Sequence, residues 1–144
     1  MLIDSLGRFS NAQALTASAA STEYVDLKKA SKLGGGKPLA IVISVGTAAD
    51  TADGNETYAF KIQCDDNSSF SSATDIISRT IAGASLTAGS IHTLPVPPEV
   101  NVEQYIRLYA TLGGTTPSVT ITAWLAPLDS LQNANFYGAS GYSV

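Results

Sequence analysis

From Gln104 the chain alternates, with Ile106, Leu108, Ala110 and Leu112 on one side and Tyr105, Arg107, Tyr109 and Thr111 on the other. That two-residue period is the signature of a half-buried strand. After Gly113-Gly114-Thr115-Thr116-Pro117 the alternation resumes, Val119, Ile121, Ala123 and Leu125 against Ser118, Thr120, Thr122 and Trp124. The spacing predicts a β-hairpin closed by this five-residue loop. A lone hairpin is marginal in water, so its two apolar rows require a second sheet to cover them.

The rest of the chain supplies the strands for that sheet. LAIVISVG after Pro38 is apolar on both faces, which predicts a central strand with neighbours on both edges. Thr57 to Asp65 alternates and turns Tyr58, Phe60, Ile62 and Cys64 inward. Shorter alternating runs precede and follow these, giving eight strands near residues 12–16, 23–27, 39–46, 57–65, 75–82, 90–96, 104–112 and 118–126. Eight antiparallel strands of this length predict an all-β, two-sheet sandwich of jelly-roll type. The strands define one domain over residues 11–127, with an N-terminal arm at 1–10 and an aperiodic C-terminal tail at 128–144. Lys28 to Pro38, with three consecutive glycines, reads as a mobile loop.

Composition sharpens this picture in one respect. Charged residues make up 14% of the chain, where about 25% is typical, so hydroxyl and amide side chains must form much of the polar surface. Such a surface suits burial under another protein, because charge is costly to desolvate. The net charge of −4 provides no general attraction to nucleic acid or to an anionic membrane. Cys64 is the single cysteine, which excludes an intramolecular disulfide and fits synthesis in a reducing cytoplasm. MLIDSLGRFS lacks the apolar run of a signal peptide, and no stretch has the length of a membrane span.

The candidates for chemistry are few. His92 is the single histidine, so any nucleophile–histidine arrangement must pass through it; its place in a strand pattern reads as structural. Cys64 falls in an inward row and reads as a small core residue. The acidic turn from Asp50 to Glu56 lacks the spacing of a calcium loop, and Gly34-Gly35-Gly36-Lys37 is followed by Pro38 where a phosphate-binding loop needs Ser or Thr. Neither a metal, a cofactor nor catalysis is expected. Two surfaces stand out instead. Lys28, Lys29, Lys32 and Lys37 form either a solvated loop or a docking patch for an acidic surface. The outward row Tyr105, Arg107, Tyr109 and Trp124 reads as the second face of a wide sheet, as a protein interface, or as a platform for stacking sugars.

The opening MLIDSLGRFSNAQALTASAASTEYVDL resembles the start of the jelly-roll capsid cement proteins of tailed bacteriophages, the family typified by the Bordetella phage cement protein. The likeness rests on Met-Leu-Ile-Asp, on Phe9-Ser10-x-Ala12-Gln13-Ala14, and on the Ser/Thr-rich run into Val25-Asp26-Leu27. Asp65 to Ala73, DDNSSFSSA, resembles a loop found among phage decoration proteins. The resemblance implies a non-enzymatic virion protein, made in the host cytoplasm, that sits on the outer surface of an icosahedral head and clamps neighbouring major capsid subunits. A dimer is expected in line with that family. The contacts expected on this reading are Leu2, Ile3 and Phe9 in one arm, Phe136, Tyr137 and Tyr142 in the other, the four lysines, and the Tyr105, Arg107, Tyr109 and Trp124 row. The rival from another class is a carbohydrate-binding sandwich module.

Overall fold

In a computed structural model describing residues 7–32, 39–97 and 100–127, every pairing is antiparallel. In chain order the strands are β1 (Arg8–Leu15), β2 (Ala19–Ala20), β3 (Val25–Asp26), β4 (Ser31–Lys32), β5 (Leu39–Thr47), β6 (Thr57–Asp65), β7 (Thr74–Ile81), β8 (Ile91–Pro95), β9 (Asn101–Val102), β10 (Tyr105–Gly113) and β11 (Val119–Pro127). Sheet I has the order β1-β11-β5-β8, and sheet II the order β2-β10-β6-β7 with β3 also on β10. β4 and β9 form a separate two-stranded ribbon.

β2 and β3 are two pieces of one interrupted strand. Both lie along β10, Ala20 opposite Tyr109 and Val25 opposite Ile106, and the Ser21 amide keeps the ladder going between them by donating to the Leu108 carbonyl at 2.8 Å. Counted that way the two sheets contain eight principal strands in the orders 1-8-3-6 and 2-7-4-5. Strand 1 pairs with 8, 2 with 7, 3 with 6 and 4 with 5, as if one long hairpin had been rolled up. That nested pairing is the jelly roll, and the expected class holds.

The predicted hairpin does not. β10 and β11 are consecutive but belong to opposite sheets: β10 pairs with β6 over its whole length, Tyr105 opposite Asp65 to Gly113 opposite Thr57, while β11 lies between β1 and β5. Their apolar rows meet across the core instead of lying side by side. The connection is steered by Gly114 at φ +92°, where a Cβ would collide with the Asn55 and Glu56 backbone. Asn55 then fixes the turn by accepting from the Thr115 amide at 2.9 Å. Alternation reports which way side chains point within a strand and is blind to the sheet the strand joins.

Between the sheets Ile41, Ile43, Phe60, Ile62, Ile106, Leu108, Val119 and Ile121 are at most 2% exposed, so the inward rows were correctly assigned from the sequence. Phe9 is fully buried with them. β1 therefore begins at Arg8, earlier than the expected 12–16, and the N-terminal boundary at residue 10 falls inside it. Within the loop expected from Lys28 to Pro38, Ser31–Lys32 pairs with Asn101–Val102, and residues 33–38 lie outside the described set. No helix among the described residues is long and apolar enough to cross a membrane.

Candidate interaction face

Sheet II turns its inward row to the core and leaves Tyr105, Arg107 and Tyr109 half-buried on the outside. Register dictates what each meets. On β6, Arg107 faces Gln63 and Tyr109 faces Lys61, and on β7, Lys61 faces Ser78 and Gln63 faces Asp75. Arg107 Nε donates to Gln63 Oε1 at 2.9 Å, Gln63 Nε2 donates to Asp75 Oδ1 at 2.7 Å, and Lys61 Nζ reaches Asp75 Oδ2 at 2.9 Å. The Lys61 ammonium and the Arg107 guanidinium both lie over the Tyr109 ring, at 5.5 and 5.4 Å from its centroid. The five side chains form a closed circuit across three strands, which fixes each rotamer through its neighbours.

A loop completes the face. Asp65 ends β6 and is itself buried; its Oδ2 accepts from the Ser72 amide at 2.8 Å and its Oδ1 from the Asn67 amide at 3.2 Å. Asn67 Oδ1 in turn accepts from the Ser69 amide at 2.9 Å. These turns throw Phe70 back over the sheet at φ +52°, a left-handed conformation that a bulky side chain rarely adopts. The ring becomes 8% exposed, with the Arg107 guanidinium 4.3 Å from its centroid. Tyr24, 47% exposed, stands edge-on to Phe70 at 6.1 Å and to Tyr105 at 5.5 Å. Thus four rings and one guanidinium form a continuous outer surface.

Electrostatics follows from these contacts. Burial lowers the Arg107 pKa from its ordinary value, against the opposing fields of Tyr109 and Asp65. For Asp65 burial pushes the carboxyl up, but the donors from Ser72, Asp66 and Asn67 outweigh it and hold the pKa below the ordinary value. Asp75 is lowered by hydrogen bonds from Gln63 and Lys61. At the end of the face Asp26 is lowered by Gln104, whose Nε2 donates to it at 3.0 Å, and then by Lys28.

The structure divides the residues expected at a partner contact. Tyr105, Arg107 and Tyr109 share the face. Trp124 does not: it lies on the outer side of sheet I, opposite Arg8 and Val42, 6% exposed among Ala40, Val42 and Ala126. The row drawn through both strands is corrected by the same fact that corrects the hairpin. Phe9 belongs to the core and offers nothing to a partner. Lys28 and Lys29 are exposed, Lys28 with its ammonium 3.2 Å from Asp26; Lys32 is described in its backbone alone. Leu2, Ile3, Lys37, Phe136, Tyr137 and Tyr142 lie outside the described residues. Tyr24, Lys61, Gln63 and Phe70 were not singled out. For Phe70 the available signal was a single aromatic residue inside an otherwise polar turn, and for Lys61 and Gln63 it was the outward half of the β6 alternation.

The other chemical candidates resolve into local structure. His92 Nε2 is 3.0 Å from the Ser85 carbonyl and 3.1 Å from Ser90 Oγ. A carbonyl can only accept, so Nε2 carries the proton and cannot take one from Ser90, whose hydroxyl donates to the Thr87 carbonyl at 2.6 Å. Cys64 is buried in the core. In the acidic turn Asp50 Oδ1 and Glu56 Oε1 accept from the amides of Ala52 and Asp53, capping the loop that carries them. Among the described residues no three His, Cys, Asp or Glu side chains are grouped to hold a metal.

The family model described as Bbp16 matches residues 9–124, from the first core residue of β1 into β11. No curated protein matches the chain.

Proposed function

The chain belongs to the Bbp16 family, a family of Bordetella phage structural proteins, since the match spans well over half its length, and on that basis we propose that it is a capsid cement protein. In this reading it binds the outer surface of an icosahedral head and holds neighbouring major capsid subunits together, and in the virion it acts as a homo-oligomer, with a dimer favoured. A protein that binds across subunit boundaries stabilises the assembled shell by mass action, without doing chemistry. The observation that carries the reading is the sheet II face: aromatic and arginine side chains, the types enriched where protein interfaces hold their energy, fixed on the outside of a rigid sandwich by the Arg107–Gln63–Asp75–Lys61 circuit. Lys28 and Lys29 lie beyond one end of it and contribute orientation, with an effect that weakens as salt rises. The segments 1–6 and 128–144 carry Leu2, Ile3, Phe136, Tyr137 and Tyr142 as further anchors.

The test adds the purified full-length protein to bare heads of its phage, measuring occupancy by sedimentation and the temperature at which the heads rupture. Saturable binding with a raised rupture temperature is expected. Heads that stay bare at micromolar protein would rule the cement role out. Sedimentation of the free protein tests the dimer, which predicts a species of twice the 14.9 kDa chain mass.

A further inference from the structure

We propose that the Tyr24–Phe70–Arg107 surface of sheet II is a docking site for a carboxylate-bearing protein segment, an Asp or Glu flanked by apolar side chains, with Arg107 as the fork that grips the carboxylate. The proposal rests on the cement reading for the identity of the partner, the capsid subunit, and on the face itself for the chemistry.

The acids near Arg107 are engaged by other donors, although the field of Asp65 still reaches it. Asp75 is occupied by Gln63 at 2.7 Å and Lys61 at 2.9 Å, and Asp65 by the amides of Ser72 and Asn67. Among the described residues the guanidinium forms no ion pair, and its one hydrogen bond uses Nε, so the two terminal nitrogens remain for a partner. The guanidinium carbon lies over the Phe70 ring, 4.3 Å from its centroid, which with the Gln63 hydrogen bond restrains the group. A planar fork held this way matches a carboxylate through two parallel hydrogen bonds, and it is partly desolvated before the partner arrives. Two groups maintain it at some cost: Phe70 stays in the left-handed region, and Gln63, 8% exposed, is committed to Arg107. Strain of this kind persists where the surrounding structure over-determines it and collects at ligand clamps.

The flanks of the occupant follow from the rings. Tyr24 is half exposed beside Phe70 and Tyr105 and makes an apolar wall next to the fork. A sugar would need flat ring faces, and here cations lie over two of the rings, Arg107 over Phe70 and Arg107 with Lys61 over Tyr109, while Tyr24 meets Phe70 and Tyr105 edge-on. A nucleic acid would need a cationic stripe, and here Lys61 is already paired with Asp75 on a chain of net charge −4.

Two arms test this on the full-length protein. In the first, Arg107→Lys and Tyr24→Ser are compared with wild type for occupancy of bare heads, with unfolding midpoints as the control for folding. Arg107→Lys keeps the charge and loses the fork, and it should weaken binding by about tenfold, because a point charge cannot make the two parallel hydrogen bonds of a bidentate pair. Folded variants that both bind like wild type would overturn the proposal and leave the cement role standing. The second arm needs no head: side-chain NMR signals of Arg107 and Tyr24 are followed on adding capped Leu-Glu-Leu, capped Leu-Gln-Leu or maltose. Shifts with the Glu peptide alone support the site. Equal shifts with the Gln peptide, shifts with maltose, or none with any probe refute it.

Discussion

On the outer side of sheet II, Arg107, Gln63, Asp75, Lys61 and Tyr109 hold one another in a circuit that solvent reaches. On the outer side of sheet I, Ala40, Val42, Trp124 and Ala126 are at most 6% exposed. Both surfaces are written in the same two-residue alternation. Each aromatic ring has one cation opposite it, and they differ in what that cation does: Lys61, with Arg107, lies over the Tyr109 ring, whereas Arg8 is paired with Glu23 and the Trp124 indole packs among Ala40, Val42 and Ala126, its Nε1 buried with no hydrogen-bond partner among the described residues. An aromatic residue on an outward row is thus not an interface signal by itself. What lies over and around the ring decides whether it serves as packing or as a handle, and that depends on which sheet the strand joins.

The largest effect should separate the two surfaces by stability. Trp124→Ala removes a buried indole and should cost about 3–5 kcal/mol, near the upper end of the range of about 2–5 kcal/mol expected for Ile106→Ala in the core between the sheets. Tyr105→Ala, on a half-exposed ring whose hydroxyl accepts from Gln104 at 3.1 Å, should stay near about 1 kcal/mol. Urea unfolding with a shared m-value measures all three. Equal midpoint losses for Trp124→Ala and Tyr105→Ala would erase the contrast.

A smaller effect should show the strain stored at the sheet II face. At φ +52° an alanine at position 70 keeps the steric penalty and loses the ring, while a glycine loses the ring and is released from the penalty. Phe70→Gly should therefore be more stable than Phe70→Ala by about 1 kcal/mol, the reverse of their order in ordinary strand backbone. If Ala proves the more stable, the loop relaxes on losing the ring, and Phe70 is not held under strain by its surroundings.

These outcomes bear on how much the sequence contained. The inward rows, the central place of β5 and the span of β6 were legible, because burial on one or both faces imposes a pattern that local residues reveal directly. The membership of β10 and β11 in opposite sheets was not, since a hairpin and a connection between sheets show identical alternation on either side of a Gly/Pro break. Trp124 was misassigned for that reason alone. Phe9 was misread because β1 carries its core residue near its first position, amid polar neighbours too irregular to announce a strand, with register shifts after Arg8 and Ser10. Of the candidate site, Tyr105, Arg107 and Tyr109 could be found from their row. Phe70 could not, because its place over Arg107 depends on a left-handed turn anchored by Asp65.

The smallest expected effect is acid sensitivity confined to one of the two surfaces. Asp26, Asp65 and Asp75 belong to the sheet II side, and each has a folded-state pKa below the ordinary 3.8. A carboxyl depressed in the folded state contributes stability that is fully present above its unfolded pKa and is lost as the pH falls through the folded value. Stability from these groups should therefore be level above about pH 5 and should decline as the pH drops below 3.8. Asp75→Asn should flatten part of that decline, since its two partners, Gln63 and Lys61, cause its shift. The solvent exposure of Asp75 keeps the change small, as it does for surface pairs generally. On the outer side of sheet I the packed residues Ala40, Val42, Trp124 and Ala126 carry no ionisable group, so Trp124→Phe should shift the whole curve without changing its slope. Chemical denaturation at a series of pH values from 2.5 to 7, about half a unit apart, compares the three proteins. A Trp124→Phe curve that loses its acid slope, or an Asp75→Asn curve that retains all of it, would show that the carboxylate network is not what sets the two surfaces apart.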